Sequence, residues 1–265
     1  MNRLILGTGA AGRLNHASEI RSLLSSCLRA GADAFDTAPL YGSGAMESLL
    51  GQVLKAEHAG PDVLVNTKFG LAPTVKIPRP ADFYFAAKIA QVVGRRLGMN
   101  GSPSLLKTTV VAAATDALER ATKLFGLDRI DVFFAHEVPM EVLATPEFLE
   151  FIRHGKQQRQ FRRFGLGGYR SIYQNSDEET SWNHVDVLQV ESIPGERPIT
   201  PSGWSGEIFL HGVLAPLRRT GSTPASAEAL HNCFHEALEI QGASRLVVGV
   251  SRLANFQTAV DALRS

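Results

Sequence analysis

Asp36, Tyr41, Lys68 and His136 are the side chains of this chain whose types and order could carry a reaction between them. Asp36 closes the apolar run in "GADAFDTAPLYG", Lys68 closes the one in "VNTKFG", and His136 ends "DVFFAH". Tyr41 follows Asp36 within the next loop. Brought to one face, the carboxylate would hold the ammonium in place. The ammonium beside the Tyr41 hydroxyl would favour the phenolate and lower a reference pKa of about 10. A tyrosine tuned in this way can exchange a proton with a carbonyl oxygen as hydride reaches or leaves the carbon. His136 could hydrogen-bond the same oxygen and orient it. Each residue also has an ordinary use, as a cap, a surface lysine or a satisfied structural histidine. Four such uses at successive segment ends are harder to accept than one site.

The elements that must position these residues are short apolar segments, each followed by a helical or polar stretch. Strands are expected at 4–8, 34–38, 63–68, 131–137, 163–168, 185–191, 207–213 and 245–251. Several are continuously apolar rather than alternating, as parallel strands covered on both faces should be. Helical patterns fill most gaps, and two of them end at Gly31 and Gly126, where a left-handed cap is natural. Eight strands with seven or eight crossovers in 265 residues match an α/β fold of the (β/α)8 TIM-barrel type, with active-site residues at the carboxyl ends of the strands. An open doubly wound sheet is the alternative.

The chain reads as one domain over residues 1–265, with an insertion at about 69–103 between the third strand and the following helix. Within it Phe85, Ile89, Val92 and Val93 share a helical face, and Arg95 and Arg96 load the end. Packing on the barrel rim is the first reading of that helix and a lid over the site the second. Residues 192–205 are too rich in Pro and Gly for a crossover helix, and "SDEET" at 176–180 reads as a solvated face.

Composition limits the partners. With 44% hydrophobic and 20% charged residues and a net charge of +1, nothing favours nucleic acid or an anionic membrane. Cys27 and Cys233 suggest no disulfide framework, no apolar run reaches the roughly 18–20 residues of a membrane span, and no metal site is expected. A cytoplasmic protein acting on a small molecule follows, of open oligomeric state.

The N-terminal Gly7-x-Gly9-x-x-Gly12 invites a dinucleotide-binding reading, since Asp36 follows Gly12 by 24 residues. A Rossmann helix, however, should begin inside the glycine turn. Here Asn15 or Ser18 looks like the cap, with Ile20, Leu23, Leu24 and Leu28 starting the apolar stripe. The glycines are therefore assigned to a tight turn after the first strand.

The segment "GADAFDTAPLYGSGAMESLLGQVL" resembles the aldo-keto reductase signature, in which Asp-Thr-Ala precedes Tyr-Gly, and a Glu and a Gly follow. "VNTKFG" is similar to that family's lysine strand, "LDRIDVFFAHE" to its histidine strand, "VDVLQVES" to its sixth strand, and "LVVGVSRLANFQTAVDAL" to its closing strand and helix. The resemblance implies an NAD(P)H-dependent barrel reductase with the tetrad Asp36, Tyr41, Lys68 and His136, in which Tyr41 is the general acid. It also implies a cofactor held by Gln189, by Gly7 and Thr8 after the first strand, by Gly167 and Gly168, and by Ser251, Arg252 and Asn255. NADP is slightly favoured over NAD by the resemblance alone. The substrate implied is a small aldehyde, ketone or alcohol. Phe69, Trp204 and His211 are candidates to line its pocket.

Departures from the family pattern open other readings. Gly167-Gly168 stands where relatives carry Ser-Asn, which removes two hydrogen bonds to the carboxamide at roughly 1 kcal/mol each. A basic position for a 2′-phosphate falls on Gly249 and an adenine contact on Ala259, leaving Arg252 as the available guanidinium. The sequence ends at Ser265 without the C-terminal loop that many relatives fold over substrate, so a shallow pocket is expected. One alternative is a non-enzymatic barrel of the same family acting as a cofactor sensor or partner-binding subunit. Another is Schiff-base chemistry at Lys68.

Overall fold

The protein is described as a computed structural model covering residues 3–71, 110–173, 182–219 and 226–264. The expected insertion lies outside the described residues from 72 onward, as does the segment at 176–180.

Eight parallel strands close on themselves in sequence order. They are β1 (Leu4–Gly7), β2 (Ala34–Asp36), β3 (Leu64–Gly70), β4 (Ile130–His136), β5 (Phe161–Gly168), β6 (Val187–Glu191), β7 (Glu207–His211) and β8 (Arg245–Gly249). β8 pairs with β1 from Leu4↔Leu246 to Gly7↔Gly249, which completes the barrel and excludes the open sheet. The helices between them include α1 (Ala17–Arg29), α2 (Ala45–Ala56), α3 (Val110–Phe125), the one-turn α4 (Met140–Leu143) and α5 (Pro146–Gln157). They continue with α6 (Arg170–Tyr173), α7 (Ala215–Arg219), α8 (Ala227–His235) and α9 (Leu253–Arg264).

Two apolar layers follow from the period-two alternation of the strands. Ile5, Ala34, Val132, Phe134, Val187, Phe209 and Val247 fill the barrel interior. Their sequence neighbours face outward into a larger core against the helices, where α1 buries Ile20, Leu23, Leu24 and Cys27. Among the described residues, no helix is long and apolar enough to cross a membrane.

The glycine-rich stretch after β1 forms a 3-10 turn over Thr8–Arg13, and α1 begins only at Ala17. No α-helix starts inside the glycines, so the dinucleotide-turn geometry is absent there. The cap is His16 rather than Asn15 or Ser18, and its backbone N–H donates to the Glu19 carboxylate at 3.2 Å.

The floor of the barrel, at the amino ends of the strands, is held by charges. Arg163 donates to Asp131 at 2.6 Å and to Glu207, and Arg163 and Arg245 each lie 5.7 Å from the Phe209 ring centre.

Candidate active site

β2 ends at Asp36 and β3 carries Lys68 inward near its carboxyl end, which brings the two together inside the barrel. Lys68 Nζ donates to both Asp36 oxygens, at 2.7 and 2.6 Å, and to the Thr37 carbonyl at 3.3 Å. Each residue is 1% exposed. A charge pair this deep persists only when its remaining valences are met. Gln189 meets one of them, donating from Nε2 to Asp36 Oδ2 at 2.8 Å.

Tyr41 opens a 3-10 turn after β2, in which its ring is laid over the lysine. Lys68 Nζ is 5.5 Å from the Tyr41 ring centre and 5.2 Å from that of Phe134. His136, 8% exposed at the end of β4, meets Tyr41 edge-on with ring centres 6.3 Å apart. Its Nδ1 is buried without a hydrogen-bond partner, so the pocket holds an imidazole nitrogen with capacity to spare. The four tetrad candidates are thus gathered at one end of the barrel.

The electrostatics differ from the expectation that Lys68 lowers the phenol pKa. Burial first, then the carboxylates of Asp36 and Glu137, push the Tyr41 hydroxyl above its ordinary value. The physical reason is first the loss of solvent around the phenol, which Lys68, held on both Asp36 oxygens, does not offset. Burial pulls the Lys68 ammonium down and Asp36 opposes it. His136 is pushed down to about 3 by burial, then by Lys68 and His211, and is therefore neutral at working pH. His211, at the end of β7, is likewise lowered by burial and by Lys68, with Asp36, Glu191 and the Gly168 backbone acting in the opposite sense.

The cofactor candidates distribute unevenly around the mouth. Gly167 and Gly168 end β5 beside Gln189 on β6, in register Gly167↔Gln189. Gly7 ends β1, whereas the Thr8 hydroxyl is fully buried and donates to Thr37 at 3.0 Å, which leaves its backbone as the part facing the mouth. Ser251 is half-buried, and Arg252 and Asn255 are exposed at the start of α9. A Cβ on Gly249 would come within 2.7 Å of the Ala10 side chain, so the turn after β1 occupies the place of a basic residue. Ala259 is 1% exposed within the α9 packing face and cannot reach a ligand.

Two of the pocket-lining candidates are misplaced. Phe69 follows an inward-facing lysine and so points outward, where it is 1% exposed and stacks on Phe133 at 5.2 Å. Trp204 lies at the opposite end of the barrel, where its indole N–H donates to the Val185 carbonyl ahead of β6 at 2.8 Å. His211 remains beside the tetrad.

The signature's other two residues prove to be scaffold. Glu47, 1% exposed in the first turn of α2, accepts from the Thr67 hydroxyl of β3 at 2.6 Å, and Arg120 reaches it at 3.4 Å. Gly51 lets α2 meet the end of α3, because a Cβ there would sit 2.3 Å from the Leu124 carbonyl oxygen. Glu137, by contrast, was missed. It follows His136 directly, its backbone is left-handed with φ of 55°, and its carboxylate acts on Tyr41.

The family model of the aldo/keto reductase family matches residues 3–194. That span carries the whole tetrad and Gln189 but stops before β7 and β8. The curated aldo-keto reductase str7 of Strobilurus tenacellus is 27% identical over 153 residues, which is 56% of this chain and 35% of that protein. The chain thus aligns with about a third of that relative's length. An aldo-keto reductase from Bacillus halodurans solved in its holo form superposes with a TM-score of 0.67 at 17% identity, covering 99% of this chain and 87% of that one. A thermostable aldo-keto reductase in complex with the inhibitor epalrestat gives 0.62 at 17%, covering 100% and 90%. At such identities the structural likeness speaks for the fold, and the match over 3–194 speaks for descent. The chain belongs to the aldo/keto reductase family.

Proposed function

We propose that this chain is an NAD(P)H-dependent oxidoreductase that interconverts a carbonyl compound and an alcohol, with Tyr41 as the acid. The observation that carries the reading is the buried Asp36–Lys68 pair beneath the Tyr41 ring, with His136 at its edge. Membership of the family, and a relative solved in a holo form, support the cofactor.

The residues fit a nicotinamide at this end of the barrel, where, among the described residues, His136 keeps a ring nitrogen without a partner and Gln189, its Nε2 on Asp36, keeps its amide oxygen for a ligand. Gln189, the backbones at Gly7 and Thr8, Gly167 and Gly168 would hold that end. Ser251, Arg252 and Asn255 would hold the phosphates or ribose. A bound reduced nicotinamide supplies hydride to the substrate carbon.

The chain's own residues do the rest. His136, neutral above about pH 3, orients the substrate oxygen by hydrogen bonding. Tyr41, whose proton is held firmly by burial and nearby carboxylates, gives that proton to the oxygen as negative charge develops there. Lys68, fixed by Asp36, keeps a positive charge close to the phenol so that the resulting phenolate is met by an ammonium. The protonated resting phenol is the form that carbonyl reduction requires. Lys68 engaged on both Asp36 oxygens is a charged amine and a poor Schiff-base nucleophile, which argues against the aldolase alternative.

The test has two steps. NADPH and NADH are titrated into the protein, followed by fluorescence, and the loss of reduced-nicotinamide absorbance is then followed with simple aromatic aldehydes. Saturable binding and aldehyde-dependent oxidation are expected. Absence of binding at millimolar cofactor would remove the enzyme reading and leave the partner-binding barrel, which the Gly167-Gly168 departure favours.

A further inference from the structure

Among the described residues, three that are not glycine take positive φ: His58, Glu137 and Arg159. Two have a helical explanation. His58 follows α2, where Ala59 N–H donates to the Leu54 carbonyl at 2.9 Å, and Arg159 follows α5, where Gln160 N–H donates to the Gly155 carbonyl at 2.9 Å. Both are left-handed turns that close a helix C-terminus. Glu137 has no helix before it. It sits one residue past the end of β4, beside His136, at the carboxyl-terminal end of the barrel. A left-handed backbone on a long charged side chain costs energy that its surroundings must supply, and such residues cluster where a ligand is handled.

The neighbouring strand is cut to receive it. Glu137 N–H donates to the Gly167 carbonyl at 2.8 Å, and a Cβ on Gly168 would lie 2.6 Å from Glu137 Cγ. Gly168 itself has φ of 147°. Any other residue at 168 would displace the glutamate, so the absent side chain of Gly168 is the space that Glu137 fills. The carboxylate is half-buried, and among the described residues no cation pairs with it. Of the other described charges nearby, Lys68 and Asp36 neutralise each other, and Glu191 is turned to the Arg170 backbone N–H, from which it accepts at 2.9 Å. Among the described residues, the carboxylate beside the phenol is thus that of Glu137, with no ion-pair partner of its own.

We infer that Glu137 is a specificity-determining residue of this site, selecting carbonyl substrates that carry a cationic group near the carbonyl and disfavouring those that carry an anionic one. The inference deepens the reading of the chain as a carbonyl reductase and rests on it for the reaction. Burial of the carboxylate, which raises its pKa, agrees with a group that a cation would stabilise.

The probes are para-trimethylammonio-, para-tert-butyl- and para-carboxybenzaldehyde; the first two share shape and differ in charge. The ratio of kcat/KM for the cationic over the neutral aldehyde is measured for the wild type, Glu137→Gln and Glu137→Ala. Intrinsic reactivity cancels between proteins, so a shift in that ratio reports Glu137. A fall of about tenfold or more in both variants, with the anionic aldehyde improving, is expected. An unchanged ratio overturns the inference. Calorimetric titration of the corresponding benzyl alcohols into the protein without cofactor separates the two layers of argument. Should no aldehyde turn over, charge-dependent binding that Glu137→Gln abolishes still supports the inference. Binding indifferent to charge, or no binding of the cationic alcohol, overturns it.

Discussion

Replacing Lys68 with Met isolates the contribution of the buried pair. The substitution removes the donor that satisfies both Asp36 oxygens at 2.7 and 2.6 Å, and leaves a carboxylate that is 1% exposed with only the Gln189 amide at 2.8 Å. Breaking one side of a buried ion pair costs roughly 3–5 kcal/mol, because the remaining charge is uncompensated. For a chain of this size each kcal/mol moves Tm by about 2–4 °C, so a fall of about 6–20 °C is expected. The Gln189 hydrogen bond places the value in the lower half. The double variant Asp36→Asn/Lys68→Met removes the stranded charge while keeping an oxygen for Gln189 to donate to. It should regain most of the lost stability in urea or thermal unfolding followed by circular dichroism. Neither variant should regain turnover, since the phenol has lost its ammonium in both. A single variant costing under about 1 kcal/mol, or a double variant no more stable than the single one, would refute the reasoning.

Four further outcomes follow from the geometry. The turnover number for reduction should be flat from about pH 5 to 9, because His136 is held near about 3 and Tyr41 is pushed upward; a bend near 6.5 in the rate profile would contradict this. The same depression means that the unfolded chain binds a proton at His136 below its ordinary pKa while the folded one does not, so stability should fall as pH drops from about 6.5 toward 3. Gly51→Ala places a methyl group 2.3 Å from the Leu124 carbonyl oxygen and should cost about 1–3 kcal/mol in urea unfolding by prising α2 from α3. Finally, if Arg252 meets a 2′-phosphate, Arg252→Ala should weaken NADPH far more than NADH in fluorescence titration, whereas equal losses would show that it does not discriminate.

The tetrad was legible because period-two alternation and parallel crossovers send the ends of β2, β3 and β4 to one mouth, and the residues there have complementary charge. The same alternation misled at Phe69, where one step along the strand turns the side chain from the lumen to the helix layer. Trp204 was misplaced because a loop rich in Pro and Gly does not announce at which end of the barrel its aromatic residues settle. The sign of the Tyr41 shift was not legible, since it depends first on how deeply the phenol is buried and then on the carboxylates of Asp36 and Glu137 around it. Glu137 escaped notice because its signal lies across two strands: an acidic residue after His136 on β4, and a glycine pair at the end of β5. Glu47 and Gly51 could be seen in the signature, but their work at Thr67 and Leu124 emerges only once α2 is packed.

The central claim rests on a single proton at Tyr41. Its most direct test is Tyr41→Phe, measured with a saturating neutral aldehyde and reduced cofactor, alongside the cofactor Kd of the same preparation. A fall in kcat of roughly a hundredfold to ten-thousandfold with the Kd unchanged is the expected result. A phenylalanine variant that still turns over within a few fold of the parent would contradict it.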